Sequence, residues 1–206
     1  LSLTAALGAL RSHKAAAPAW LGKGTSMDKM LAAVLHDFNA LRIEEVAPPR
    51  ATTTGAVVVR IKSCGVCATD YKAIKGIRRN VSFPYIAGHE PSGVVAEVGP
   101  GVEHFKVGDE VICSPSGSCG FCEHCRTGNT HYCLQAFTTG GDGPRDIWPG
   151  AFAEYMLTKE MALYRKPPDI TFDAAAITEP LSGAWKGVIR YSQMQLGDDV
   201  VIIGVG

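Results

Sequence analysis

From Met30 onward the apolar residues fall in short runs broken by turn formers, a pattern of strands and not of long helices. Leu31-Ala32-Ala33-Val34-Leu35-His36 and Leu41-Arg42-Ile43-Glu44-Glu45-Val46 predict two strands about a turn at residues 37–40, the second alternating apolar with polar. Pro48-Pro49 ends this hairpin, because neither proline can donate to a ladder. Ala56-Val57-Val58-Val59-Arg60-Ile61-Lys62-Ser63 is rich in β-branched residues and predicts a strong third strand. Val94-Val95-Ala96 extends the pattern, residues 109–114 add a strand entered through Lys106-Val107-Gly108, and residues 150–157 resume it. Residues 138–149 are glycine-rich and read as a surface loop or pocket lip. Short strands punctuated by turns fit a closed or partly open barrel. Helical signals come late: Asp173 is placed to cap a short helix, and Pro180 suits the first turn of the next. Residues 196–206 then read as a turn, a buried parallel strand and the opening of a glycine-rich loop.

Composition narrows the class. At 206 residues there is room for one substantial domain, or one domain and part of another. The 46% hydrophobic and 19% charged content is ordinary for a soluble globular protein, and 23 glycines with 12 prolines favour a turn-rich β architecture. Twenty basic and twenty acidic residues cancel, so no basic field points to nucleic acid. No apolar run approaches the ~20 residues that span a bilayer. The cancellation is uneven, because residues 1–26 carry Arg11, Lys14 and Lys23 with no acid. That segment shows neither alternation nor an amphipathic face. It reads as a transit peptide, or as an extension upstream of a start at Met27 or Met30, and disorder is expected for residues 1–29.

The cysteines and one His-Glu pair carry the chemistry. Seven cysteines, an odd count crowded at two-residue gaps, suggest metal ligation in a reducing compartment more than a disulfide framework. Cys119-x2-Cys122-x2-Cys125-x7-Cys133 supplies four thiolates, which suit a closed tetrahedral zinc site. Two disulfides or an iron–sulfur cluster are the other readings of this pattern. Such a zinc would order residues 117–134, a loop too rich in Gly and Cys to bury a core of its own. His124 and His131 lie within it as solvated neighbours. Cys64-Gly65-Val66-Cys67 alone is half a zinc site, a redox pair or two small buried hydrophobes. His89-Glu90 between glycines is a surface pair or a pair of zinc ligands.

Taken together, Cys67-Ala68-Thr69-Asp70 and Gly88-His89-Glu90-x2-Gly93-x5-Gly99-x2-Val102 resemble the zinc-containing medium-chain alcohol dehydrogenases. The Cys119–Cys133 spacing is similar to that family's structural-zinc lobe, and Gly150-Ala151-Phe152-Ala153-Glu154-Tyr155 to another of its segments. The resemblance covers about Met30 to the C-terminus. It implies catalytic-zinc ligands at Cys67, His89 and Glu90, a substrate-binding hydroxyl at Thr69 that begins proton relay, and a supporting carboxylate at Asp70. Cys64 and Cys113 have no role in it and are expected to pack as free thiols. Where many relatives end the relay at a histidine, this chain has Lys72. Glu179-Pro180-Leu181-Ser182 resembles the polyol (sorbitol) and threonine dehydrogenase branch, which makes Glu179 a candidate ligand; a helix-start carboxylate favoured by the dipole is the other reading. Trp148 and Phe152 could line a pocket or pack in the core. Gly204 and Gly206 are the first two glycines of a G-x-G-x-x-G loop that cradles pyrophosphate.

The expected architecture is mainly β with short helices. A GroES-like partly open barrel fills residues 30–180, and a connecting helix and first strand of an incomplete Rossmann domain fill residues 181–206. The expected activity is oxidation of a secondary alcohol or polyol to a ketone by hydride transfer to NAD or NADP, with two Zn²⁺ per chain. The chain reads as a fragment, inactive alone, of a cytoplasmic homo-oligomeric enzyme. The competing reading is a non-catalytic, zinc-stabilised barrel that serves as a structural or interaction module.

Overall fold

The computed structural model describes residues 29–140, 147–192 and 194–204. The disorder expected of the N-terminal extension falls outside the described residues up to residue 28; Lys29 is described, and its Nζ lies 3.0 Å from Glu45.

The predicted hairpin forms as β1 (Met30–Leu35) and β2 (Leu41–Val46), paired antiparallel in full register from Met30↔Val46 to Leu35↔Leu41. β1 is almost wholly buried, whereas β2, with its alternating pattern, leaves Leu41 and Ile43 exposed. The turn between them uses Asn39 in the left-handed region (φ 61), which asparagine tolerates. β3 (Ala56–Gly65) leads into helix α1 (Ala68–Ile74), and β4 (Glu90–Val98) follows. β5 (Glu110–Cys113) precedes a lobe made of β6 (Ser116–Gly117), the one-turn helix α2 (Glu123–Arg126), a 3-10 turn (Thr130–Tyr132), β7 (Phe137–Thr139) and β8 (Ile147–Trp148). β9 (Tyr155–Lys159) and β10 (Leu163–Arg165) complete the strands, and α3 (Phe172–Ala176) and α4 (Thr178–Trp185) follow.

Five strands form one antiparallel sheet in the order β10-β5-β4-β3-β9, and β6-β7-β8 form a second, small sheet in which β7 and β8 run parallel. Single bridges, Ala32↔Ala153 and Leu35↔Tyr85, fasten the hairpin beside the larger sheet. The result is the partly open barrel that the pattern predicts. Its core is Val57, Val59, Val95, Val111 and Met156, packed with Phe152. Cys64 and Cys113 are free and buried in the same core, as expected of packed thiols.

Four local expectations need correction. Residues 150–154 are not the start of a strand, because their amides bond elsewhere: Gly150, Ala151 and Phe152 donate to the carbonyls of Ile86, Gly88 and Ala87, and Glu154 to that of Leu31. β9 therefore begins at Tyr155. The loop expected at residues 138–149 carries β7 and β8 at its ends; residues 141–146 between them lie outside the described residues. The cap of α3 is Thr171, whose hydroxyl accepts from the Ala174 N–H, and Asp173 stands inside the first turn. Val200–Ile203, expected as a buried strand, has no strand partner and is exposed, Ile203 at 96%. A parallel strand needs neighbours on both sides to satisfy its ladder, and none lies beside it among the described residues.

β3 and β4 pair with two irregularities, between Val58/Val59 and between Ile61/Ser63. Gly93 lies opposite the second, where a Cβ would overlap the Arg60 carbonyl oxygen. Gly93→Ala is expected to lower stability by about 1–3 kcal/mol in urea denaturation, the usual cost of overpacking. Gly183→Ala, on α4 where a Cβ meets nothing within 4 Å, should be neutral or stabilising by up to about 1 kcal/mol. Equal effects from the two would show that backbone approach at Gly93 carries no stability.

Candidate metal centres

Two clusters of metal-ligating side chains exist among the described residues. In the first, a ligand atom each from Cys67, His89 and Glu90 lie within 4.8 Å of one another. The elements place them as follows. β3 ends at Gly65 and α1 begins at Ala68, so Cys67 sits at the N-cap with extended backbone (φ −87°, ψ 155°). His89 and Glu90 enter β4 from a turn in which Gly88 is left-handed (φ 94°). Glu90 pairs in register with Gly65, and a Cβ on Gly65 would overlap Glu90 Oε2. Any side chain at Gly65 would displace that carboxylate from its place beside Cys67.

Asp70 joins the two segments. It is buried (1% exposed), and its carboxylate accepts from the N–H of Cys67 at 2.9 Å and from that of Gly88 at 3.1 Å. Its Oδ1 also lies 3.3 Å from His89 Nδ1. That contact is off-line, an ion pair rather than an aligned hydrogen bond. It nevertheless raises the imidazole to about 9 against the opposing effect of burial, with the Cys67 sulfur adding to the rise. With Nδ1 facing Asp70, Nε2 is the nitrogen turned to the cluster, 3.3 Å from Thr69 Oγ1. A carboxylate behind a histidine is the arrangement that fixes a metal-ligating imidazole.

Glu90 is 7% exposed, and burial raises its pKa; the positive charge of His89 lowers it, while the negative charge of Glu179 raises it further. Glu179 itself is half-buried in the first turn of α4 and is not one of the three clustered ligands. The structure thus brings Cys67, Thr69, Asp70, His89 and Glu90 together, with Glu179 near enough to be felt. Ser92 ties α3 to β4 through a 2.6 Å bond to the Phe172 carbonyl, and α4 with Glu179 follows directly. Lys72 is exposed on α1. Phe152 is buried against the core, and Trp148 stacks on Phe137 (centroids 5.0 Å apart) beneath Lys159 Nζ at 5.6 Å. The described Gly204 is exposed at φ 85°; Gly206 lies outside the described residues.

The second cluster is Cys119, Cys122, Cys125 and Cys133. The sulfurs of Cys122 and Cys125 are 3.5 Å apart, and two further pairs 3.9 Å. A tetrahedron with zinc–sulfur bonds of about 2.3 Å has edges of ~3.8 Å, so the cage has the size of a zinc site and none of the pairs is a disulfide. Backbone N–H groups aim at the sulfurs: Cys119 and Gln135 donate to Cys133 at 3.2 and 3.3 Å, and Cys122 to Cys119 at 3.3 Å. The N–H groups of Leu134 and Cys125 hold the Cys122 thiol down at about 6. Burial pushes Cys133 up, but the N–H groups of Cys119 and Gln135 outweigh it and keep it below its usual value. Burial and the neighbouring Cys122 sulfur push Cys125 up to about 11. His124 and His131 do not join the cage; they pack around Tyr132, with His131 at 4.2 Å between centroids.

With this geometry in place, comparison with known proteins decides the family. The alcohol dehydrogenase GroES-like domain profile matches residues 53–168. The chain belongs to that family. It is 36% identical over 170 residues to a 2-dehydro-3-deoxy-L-galactonate 5-dehydrogenase of Pseudoalteromonas atlantica, covering 82% of this chain and 47% of that protein. It is 32% identical over 187 residues to the sorbitol dehydrogenase of Bacillus subtilis, covering 88% and 51%. A crystal structure of an NAD-dependent alcohol dehydrogenase superposes with a TM-score of 0.72 at 32% identity, over 82% of this chain and 49% of that one. The chain spans about half the length of the curated relatives it matches.

Gly65 was not among the residues singled out from sequence; its signal was a glycine at the end of a β-branched strand, next to a candidate ligand pair. Gly65→Ala is expected to weaken zinc at the Cys67 cluster by at least about tenfold while leaving the four-cysteine zinc in place. Competition with a chromophoric chelator reads this, and equal affinity in the variant would remove Gly65 from the site. In the metal-free chain Cys122, deprotonated above about pH 6, should be the cysteine first alkylated by iodoacetamide at pH 7. Cys64 and Cys113, raised by burial, should react last. Peptide mass spectrometry checks the order, and zinc should abolish the Cys122 reaction.

Proposed function

We propose that this chain is the metal-binding catalytic domain of a zinc-dependent, NAD(P)-dependent dehydrogenase that oxidises a secondary alcohol or polyol to a ketone. The observation that carries the reading is the Cys67–His89–Glu90 cluster, with Thr69 against His89 and Asp70 behind it. Zinc, when bound, supplies a Lewis acid that lowers the pKa of the alcohol, and the nicotinamide supplies the hydride acceptor. The residues of this chain do the rest. Cys67 Sγ, His89 Nε2 and a Glu90 oxygen would hold the metal, with Asp70 orienting the imidazole. Thr69 Oγ1, at the same N-terminal turn of α1, would accept the substrate hydroxyl's proton and pass it toward solvent. Glu179 would approach the metal from α4 as an alternative carboxylate.

The four-cysteine cage would hold a second zinc with no open position, ordering the lobe and taking no part in chemistry. Relatives that act on a sugar acid and on sorbitol support a small polar substrate with a secondary hydroxyl. Seven free cysteines support a reducing, cytoplasmic setting. No helix among the described residues is long and apolar enough to cross a membrane. Assembly into a homo-oligomer belongs to the same proposal. Among the described residues no strand follows β10, so the seat of the nicotinamide cofactor is not assembled by them.

Two zinc ions per chain are expected by elemental analysis, and one in Cys67→Ala with the four-cysteine zinc retained. In the whole protein, Cys67→Ala should lower turnover of a polyol with NAD⁺ or NADP⁺ by on the order of a thousandfold, the scale of several kcal/mol of metal catalysis. Two zinc ions and full turnover in that variant would overturn the assignment.

A further inference from the structure

The turn that carries His89 is held by backbone from residues 150–152, between β8 and β9. The carbonyls of Ile86, Ala87 and Gly88 accept from the N–H groups of Gly150 (2.8 Å), Phe152 (2.9 Å) and Ala151 (2.9 Å). Gly140 closes on the same place. A Cβ there would overlap the Gly88 carbonyl oxygen and come within 2.7 Å of Gly150 Cα, and a Cβ on Gly150 would overlap the Ala87 carbonyl oxygen. Three stretches of backbone therefore meet glycine to glycine, one residue before His89. Glycine contacts have no side chain to interlock, so their spacing must be set from outside. Tyr85 does this. Its backbone is fixed by reciprocal bonds with Leu35 (2.9 and 2.8 Å), and its hydroxyl donates to the Gly140 carbonyl at 2.6 Å. Burial, aided by the Asp70 charge, pushes the phenol up to about 12, so it stays a donor across the working pH range. Gly140 in turn donates to the Trp148 carbonyl at 2.9 Å, which joins the clamp to β8.

We propose that Tyr85 is a positioning residue for the metal turn: its hydroxyl holds Gly140 against Gly88 and so fixes where His89 Nε2 points. The inference rests on reading Cys67, His89 and Glu90 as a zinc-binding set. Tyr85 is not one of the three clustered ligands; it acts through two glycines.

The test is Tyr85→Phe, which keeps the ring and removes only the hydroxyl, in the full 206-residue chain loaded with zinc or with Co²⁺. Zinc affinity at the Cys67 cluster should fall about tenfold. The visible Co²⁺ absorption of that site should shift, with the four-cysteine site unchanged. Hydrogen exchange should quicken at the Ala151 and Phe152 amides, which bond the turn directly. Val111→Ala, a core truncation in the five-stranded sheet, is the control: it should lower the melting temperature and move neither affinity nor spectrum. If Tyr85→Phe behaves like Val111→Ala, Tyr85 is merely structural and the proposal is overturned. If the wild-type chain binds one zinc only, in the four-cysteine cage, the metal reading and this inference fall together, before any variant is made.

Discussion

Everything in the candidate catalytic centre depends on one buried carboxylate. Asp70 is satisfied by the N–H groups of Cys67 and Gly88 and faces the His89 ring. An isolated charge so deep would be costly, and hydrogen bonds to the charged form are what make it tolerable. Those same bonds run from the N-terminus of α1 to the turn before β4. A carboxylate that must be satisfied thus brings together two segments about 20 residues apart in sequence, the first bearing Cys67 and the second His89 and Glu90. Positioned at the first turn of α1, Asp70 is also on the favourable end of the helix dipole. Satisfying the charge and assembling the ligands are one and the same event.

The two cysteine-bearing centres follow opposite designs. The Cys67 cluster is assembled by the sheet, from β3, α1 and β4, and its geometry exists because the core beneath it is packed. The four-cysteine lobe has little core: Phe121, Tyr132 and Leu134 are exposed, and its helix is a single turn. There the sulfurs, pointed inward by backbone N–H groups, take the place of a hydrophobic interior. A site prepared by its fold can leave a coordination position open for chemistry. A site that makes its fold cannot, because each ligand is needed for closure.

Much of this was legible in the chain because zinc chemistry restricts residue type and spacing together. Four cysteines at gaps of two, two and seven suggest a metal site by themselves, whereas the His-Glu pair between glycines gains that meaning only in company with Cys67-Ala68-Thr69-Asp70. Strand existence was legible for the same kind of reason, since β-branched runs such as Val57-Val58-Val59 have few other uses. What was not legible depends on partners remote in sequence. Residues 150–154 look like a strand, but the amides of 150–152 serve the metal turn some sixty residues earlier, and that of Glu154 bonds Leu31. Thr171 outcompeted Asp173 as a cap because the short helix begins two residues sooner than the acidic side chain suggested. Gly65 becomes informative only once β3 and β4 are paired and Glu90 is found opposite it. Val200–Ile203 has the composition of a buried strand and remains exposed, since composition cannot supply the neighbouring strands.

The placement of the two glutamates sharpens the proposed reading. Glu90 stands within the ligand set, with the space at Gly65 beside it; Glu179 stands outside it, on α4, the helix that follows the one Ser92 ties to β4. Under that reading, a Cys67 thiolate and one carboxylate would already balance the charge of Zn²⁺. A second carboxylate bound at the same time would leave the ion negative overall and a weaker Lewis acid. Two carboxylates disposed in this way are better suited to exchange than to bind together, one inside while the other waits. With only one of the two carboxylates bound, a coordination position would stay open to the substrate oxygen, while Cys67 and His89 would be held by segments both fastened to Asp70.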